Sequence, residues 1–463
     1  MTKTTISIQR ALCAALCAAA LAGCAVGPDY AKPKLDIPAS FKEDGRWKTA
    51  EPQDAMPRGD WWSVFHDQTL NGLMDTLNRQ SPTIAQAEAQ YREAQAQLRQ
   101  AQAGLFPSLS ANAAKTRGVS TPGGGAATAY NLGLSASWEV DLWGAVRREV
   151  EAGKAKQQAS EAQLAAIRLS SQAQLATAYL QLAVADAQLA NLRASEKLLA
   201  DTLQLTRNQY AAGIVGDDAV ASAESQWKTS QAATVDKQLT RAQLEHAIAA
   251  QLGQAPASFA LPPAAQAPYL PQIPAGLPST LLERRPDIAA AERNMAAANA
   301  QIGIAKAAFF PTLSLGASGG YRGSSFADWV SLPNRIWSVG PSLALTLFDA
   351  GLRSAQTDQA VASYDASVAS YRQTVLAALQ GVEDNLSAQS LLEQEAGMQS
   401  AALAAAKRAE AISLNQYQAG TVAYLNVLSA QNTRINAENN LWSVKNRQYA
   451  SSVALIAALG GSW

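Results

Sequence analysis

The chain has 463 residues, enough to bury a sizeable core and to hold two or three domains. Lys plus Arg and Asp plus Glu number 37 each. That balance excludes a nucleic-acid binder and a strongly acidic tail, and it offers nothing to a polyanionic partner.

At the N-terminus, Lys3 and Arg10 flank the start of a short apolar run, ALCAALCAAALAG. A transmembrane helix needs about 20 apolar residues, so residues 1–23 read as an export signal peptide instead. The run ends in Leu21-Ala22-Gly23-Cys24, which resembles the lipobox of bacterial lipoproteins. That resemblance implies that Cys24 becomes the acylated first residue, and Ala25 after it resembles lipoproteins sent to the outer membrane. Cys13 and Cys17 fall in the discarded segment. Cys24 is then the mature chain's sole cysteine, which removes internal disulfides, thiol catalysis and Cys-based metal sites.

Residues 24–80 form an N-terminal periplasmic segment. Its irregular, Pro-bearing part gives way to WWSVFHD, where Trp61, Trp62 and Phe65 are expected to clamp onto the body. From Ser81 onward the chain repeats itself. Pro82 and Pro107 recur as Pro286 and Pro311, each 204 residues later. NQYAAG from Asn208 recurs as NQYQAG from Asn415, and AAQLG from Ala249 as IAALG from Ile456, each 207 later. The expected modules are residues 81–255 and 285–463, joined by a Pro-rich linker, 256–284, that is too rich in proline for helix.

Each module is expected to hold a helix, a β-hairpin (105–142 and 309–348) and a long helical hairpin with its tip near 211–218 and 418–425. The stretch NLGLSASWEVDL alternates strictly, with Leu132, Leu134, Ala136, Trp138, Val140 and Leu142 on one side. This period of two predicts a strand with an apolar and a polar face. PSLSANAA, TLSLGASGGY and WSVGPSLALTLF repeat the pattern, giving four strands as two hairpins. Their connections, TRGVSTPGGGAAT and RGSSFADWVSLPNR, suit long extracellular loops. Between Arg147 and Tyr210 no proline interrupts a row of leucines, with Leu175, Leu182, Leu189 and Leu203 at heptad spacing and Leu192 and Leu199 beside them. That predicts one helix on the order of 95 Å long with a coiled-coil seam. Gly213 and Gly420 fit left-handed helix terminators, after which the chain turns back. Asp217 and Asp218 then suit the positive end of the returning helix.

Nothing in the chain assembles into a catalytic or metal site. His66 and His246 stand apart from each other and from any cysteine. Asp217-Asp218 and Glu383-Asp384 lie on long helices without a nucleophile, and TPGGGAAT lacks the lysine of a phosphate loop. No cofactor, metal or enzyme activity is expected.

Four strands cannot close a barrel, and lipid tolerates only closed sheets. If they face lipid, three chains must pool twelve strands, an even number in the usual range; a soluble sandwich is the alternative. At this point VGPDY, RPDIAAAE, FFPTLSL, GPSLALTLFDAGLR and NQYQAGTVAYLNVLSAQ resemble the TolC/OprM (NodT) family of outer-membrane efflux lipoproteins. The resemblance implies a mixed α and β membrane protein, a homotrimer with a 12-stranded transmembrane barrel continued by a periplasmic α-helical barrel. It implies a passive exit duct partnered by a periplasmic adaptor (membrane fusion) protein, an inner-membrane RND-type transporter and outer-membrane lipid. By the same resemblance Leu425 and Ser429 take the periplasmic gate positions, although Ser429 stands where Asp is common and Asn432 where a basic residue is common; Asp217 and Asp218 of the first module are the candidates for the missing negative ring, with helix capping as the alternative. Tyr210, Gly213, Tyr417 and Gly420 take the adaptor contact. A protein-secretion duct and a periplasmic coiled-coil scaffold are the competing readings, and a scaffold needs no two-faced strands.

Overall fold

The long uninterrupted helices and the two-faced strands both form. A computed structural model describes residues 25–33, 42, 59–119, 125–264, 267–271, 273 and 285–461. The expected signal peptide (1–23) and Cys24 lie outside the described residues, as does most of the segment 34–58 and the end of the linker. A 3-10 turn at Trp61–Phe65 leads to α1 (Gln68–Gln80) and α2 (Pro82–Ala103), then to β1 (Ser108–Gly118) and β2 (Ala127–Val140). The helices α3 (Ala145–Ala211) and α4 (Asp217–Gln251) follow. Next come α5 (Pro286–Ala307), β3 (Thr312–Gly323), β4 (Arg335–Ala344), α6 (Leu352–Gln418) and α7 (Tyr424–Ala458). Corresponding helices match in length: 22 residues for α2 and α5, 67 for α3 and α6, 35 for α4 and α7.

The chain divides into two compact units, each drawing on both sequence halves. One comprises residues up to Leu35, Ala89–Ala162 and Ile288–Thr374 and contains the sheet. It is antiparallel, in the order β1-β2-β3-β4. Here the N-terminal residues are tied down: Val26 N–H donates to the Trp143 carbonyl (3.0 Å), and Tyr30 Oη donates to Glu292 Oε1 (2.6 Å). Burial and the adjacent Glu292 carboxylate both hold the Tyr30 phenol protonated well above its ordinary range. Gly27 crosses α5 at Gly303 so closely that a Cβ on Gly27 would stand 2.5 Å from the Gly303 Cα.

The other unit comprises Asp36–Glu88, Gln163–Asp287 and Val375–Trp463. Its core gathers Trp61, Trp62 and Phe65 with Leu70, Met74 and Leu77 of α1 and with Leu175, Leu182 and Ile456. The expected clamp is therefore real, and Trp61 Nε1 adds a hydrogen bond to Gln172 Oε1 (3.2 Å). Of the predicted leucine seam, Leu175, Leu182, Leu189, Leu199 and Leu203 are buried and Leu192 is half-buried. The linker is pinned by charge: Arg241 bridges Asp186 (2.6 Å) and the Leu261 carbonyl (2.7 Å), while Glu245 accepts from Leu261 N–H (2.6 Å).

Strand ends differ from the sequence pattern for a common reason, the reach of the partner strand. β1 continues past Ala114 to Gly118 because Ala127 is there to pair with it. β4 begins at Arg335, opposite Tyr321, and stops at Ala344, opposite Thr312. Leu345 to Phe348, expected to extend that strand, have no ladder partner among the described residues.

Candidate functional site

The register sorts the sheet by chemistry. Directly opposed residues share a face, so one face carries the rows Val140/Leu313/Leu343, Trp138/Leu315/Pro341, Leu109/Ala136/Ala317/Val339 and Ala111/Leu134/Gly319/Trp337. The other carries Ser108/Ser137/Gly316/Gly340, Ser110/Ser135/Ser318/Ser338 and Asn112/Gly133/Gly320/Ile336. Four serines therefore line up across four strands, and their hydroxyls pair at 2.8 Å in Ser110–Ser135 and in Ser318–Ser338. Small side chains on this face leave room for solvent.

The apolar face is uncovered. Leu109, Leu134, Leu315, Val339 and Leu343 are all exposed, Val339 by 72%. Aromatic groups stand at both ends of the sheet. Near the tips Tyr130 packs with Phe326 (5.6 Å) and Trp329 (5.9 Å). At the other end Trp143 stacks on Phe310 (4.7 Å), and Trp138 Nε1 donates to the Leu105 carbonyl (3.1 Å).

In the second unit the hairpin ends share one small core of Leu203, Ala223, Tyr417, Tyr424 and Val427. Both long helices stop as their glycines dictate. Gly213 and Gly420 have φ of +73°, and each gives a Schellman turn, with Ile214 N–H on the Gln209 carbonyl and Thr421 N–H on the Gln416 carbonyl (both 2.9 Å). Each glycine faces open space. The two tyrosines of the repeated NQYxAG motif part company: Tyr210 is 49% exposed, whereas Tyr417 is 2% exposed. Tyr210 therefore stands on the surface of the tip, whereas Tyr417 packs it from within. Its ring lies 5.5 Å from that of Tyr424, and its hydroxyl donates to Thr206 Oγ1 (3.2 Å). Burial, then the neighbouring Tyr417, raises the Tyr424 phenol to about 12.

Of the four gate candidates, Leu425 is 70% exposed on the first turn of α7, and Ser429 lies exposed one turn later. Asp217 and Asp218 are exposed in the first turn of α4. The helices α4 and α7 touch, and Gln226 Nε2 donates to Asn432 Oδ1 (2.9 Å) between them.

Comparison with known proteins follows this geometry. The sequence model of the family described as "Outer membrane efflux protein" matches residues 73–254 and 277–461. The chain belongs to the outer membrane efflux protein family. It is 30% identical to TtgC of Pseudomonas putida, a probable efflux pump outer membrane protein, over all of this chain and 96% of that one. The outer-membrane channel OprN superposes with a TM-score of 0.87 at 31% identity, covering 95% of this chain and 100% of that chain. The MtrE outer membrane channel of Neisseria gonorrhoeae, solved in its open state, gives 0.82 at 28%, covering 94% and 98%.

This outer membrane efflux protein acts in the outer membrane, as the two-faced sheet anticipates. No helix among the described residues is long and apolar enough to cross a membrane. Sequence reading missed the buried ion pair of the hairpin. Arg434 on α7 has Nε 2.7 Å from Glu410 Oε2 on α6, an ion-pair contact without hydrogen-bond alignment. It also donates to Glu438 Oε2 (2.8 Å) and Ser195 Oγ (3.0 Å). The offset of 207 held a clue, because it maps Glu410 and Arg434 onto the apolar Leu203 and Trp227.

Proposed function

We propose that three copies pool their sheets into a 12-stranded transmembrane barrel continued by an α-helical barrel, the passive exit duct of a tripartite small-molecule efflux pump. One observation carries this reading: among the described residues β1 and β4 each have a single partner strand, while the sheet's apolar face is bare. In hydrocarbon each unpaired backbone group costs several kcal/mol. Sister chains supply the missing ladders, and the duplicated modules (81–255 and 285–463) then arrange six hairpins around the axis. The Ser and Gly face lines the bore and the Leu and Val face meets lipid. Purified protein reconstituted in planar bilayers should conduct ions and elute at the mass of a trimer; a non-conducting monomer would overturn the reading.

The duct takes its cargo from an RND-type inner-membrane transporter through a periplasmic adaptor. Leu425, exposed at the head of α7, suits an apolar constriction that closes by dewetting. Ser429 supplies no charge there, so the ionic part of the gate falls to Asp217 and Asp218. Adaptor contact is assigned to Tyr210, Gly213 and Gly420, with Tyr417 shaping the surface from beneath.

The glycines provide a test. Any L-residue at φ +73° costs about 1–2 kcal/mol in backbone strain. Gly213→Ala and Gly420→Ala carry that strain alone, whereas Gly213→Trp and Gly420→Trp add bulk in open space. The Trp pair should abolish drug resistance in cells while trimers persist, and the Ala pair should retain most of it. Resistance retained by the Trp pair would remove the adaptor assignment.

Lipid on Cys24 is an auxiliary anchor. Val26, two residues after Cys24, is fastened to Trp143 at the aromatic end of the sheet, which suits an acyl chain entering the inner leaflet. An acyl chain contributes about 0.8 kcal/mol per buried CH₂, but a closed barrel is already held by the bilayer. Cys24→Ala behind a non-lipid signal peptide should therefore still yield membrane-inserted trimers by fractionation. Wholly soluble product would contradict this.

A further inference from the structure

The bare face of the sheet turns basic toward the hairpin tips. The register places Arg335 in a row with Tyr321, Leu132 and Ala113, and it places Lys115 and Arg117 on that same face. All three cations are exposed, and Lys115 Nζ sits 5.5 Å from the centre of the Tyr130 ring. Among the described strand residues the sole carboxylate, Glu139, is on the opposite face with Ser314 and Ser342. Cations of one sign on a lipid-facing surface are costly unless an anion meets them.

Beside Arg335 the apolar face is notched. Gly319 lies between Leu134 and Trp337 in its row, and a Cβ added there would meet nothing within 4 Å. A groove of about 760 Å³ follows, whose lining includes Leu132, Leu134, Tyr321, Arg335 and Trp337. It is apolar along its length and cationic at the end where Tyr130, Phe326 and Trp329 mark an aromatic belt.

We propose that this groove holds a phosphate-bearing lipid of the leaflet at the hairpin tips, its phosphate on Arg335 and an acyl chain across Gly319. A guanidinium fits phosphate oxygens in pairs, and its apolar stem can lie along the sheet while the charge reaches the headgroup level. Lys115 and Arg117 stand three strand spacings away, about 14 Å, and hold the adjoining headgroup. The inference rests on the barrel reading above.

Native mass spectrometry of the full-length protein in neutral detergent tests it, with phosphatidic acid and diacylglycerol of identical acyl chains as probes. Phosphatidic acid should be retained in preference to diacylglycerol, with the preference falling about fivefold for each of Arg335→Ala and Lys115→Ala. Gly319→Leu, which fills the notch and leaves every cation in place, should also lower retention. Equal retention of the two lipids, or preference unchanged in both cation variants, overturns the proposal. So does full displacement by inorganic phosphate, which would make the bare anion the ligand. Conductance separates the two levels: a conducting parent without lipid preference strikes this inference alone, and a non-conducting parent strikes the barrel reading with it.

Discussion

Replacing Val339 with arginine should nearly eliminate assembled protein from the outer membrane, whereas replacing its neighbour Ser338 with arginine should leave assembly close to normal. The two residues are adjacent on β4, but the register sets Val339 in the middle apolar row with Leu109, Ala136 and Ala317 and sets Ser338 in the serine row. In the proposed barrel an arginine on the lipid face near the bilayer midplane costs about 2–4 kcal/mol, and the three copies of the proposed trimer suffer it together. On the side proposed to line the bore the same group would meet water, and the loss is confined to the hydroxyl pair with Ser318, about 1 kcal/mol. Three added charges in the bore should also shift ion selectivity toward anions. Trimer abundance in membrane fractions and reversal potentials in planar bilayers report the two effects. Equal losses from both variants would show that the sheet does not divide lipid from water, and the duct would go with it.

The faces of that sheet were legible because a period of two is written in single residues. Leu132 to Val140 alternate with Gly, Ser and Glu, and no tertiary context can move a side chain to the other face without slipping the register. The leucine seam of α3 and the glycine stops at Gly213 and Gly420 were legible on similar grounds, since helix period and positive φ are local properties. Strand ends were not, because Gly118 and Ala344 are set by where the partner strand begins and ends. The unlike burial of the tip tyrosines was not legible for a subtler reason. Their motifs match, but Tyr424, whose ring packs at a tilt against Tyr417, occupies the place that Asp217 takes in the first module at the offset of 207. Burial was decided by a residue outside the motif.

The hairpin's ion pair leads to the second large effect. Arg434 and Glu410 are both buried, at 7% exposure each, and Arg434 further engages Glu438 and Ser195 on three different helices in total. Removing one member leaves a charge in low dielectric, and breaking such pairs costs about 3–5 kcal/mol. Arg434→Met or Glu410→Leu alone should therefore loosen the tip, and added protease should cut the turns at residues 212–216 and 419–423 about 10²-fold faster. The double variant should behave differently. Buried ion pairs replaced whole by apolar groups are often neutral, and this chain already places Leu203 and Trp227 at the corresponding positions of its first hairpin. Combining Glu410→Leu with Arg434→Met should thus recover much of the lost resistance to cleavage, less the share that Glu438 and Ser195 still require of a cation. If the double variant is cut as fast as the sum of the single losses demands, Arg434 acts mainly through Glu438 and Ser195. The contact with Glu410 would then be incidental to the strength of the tip.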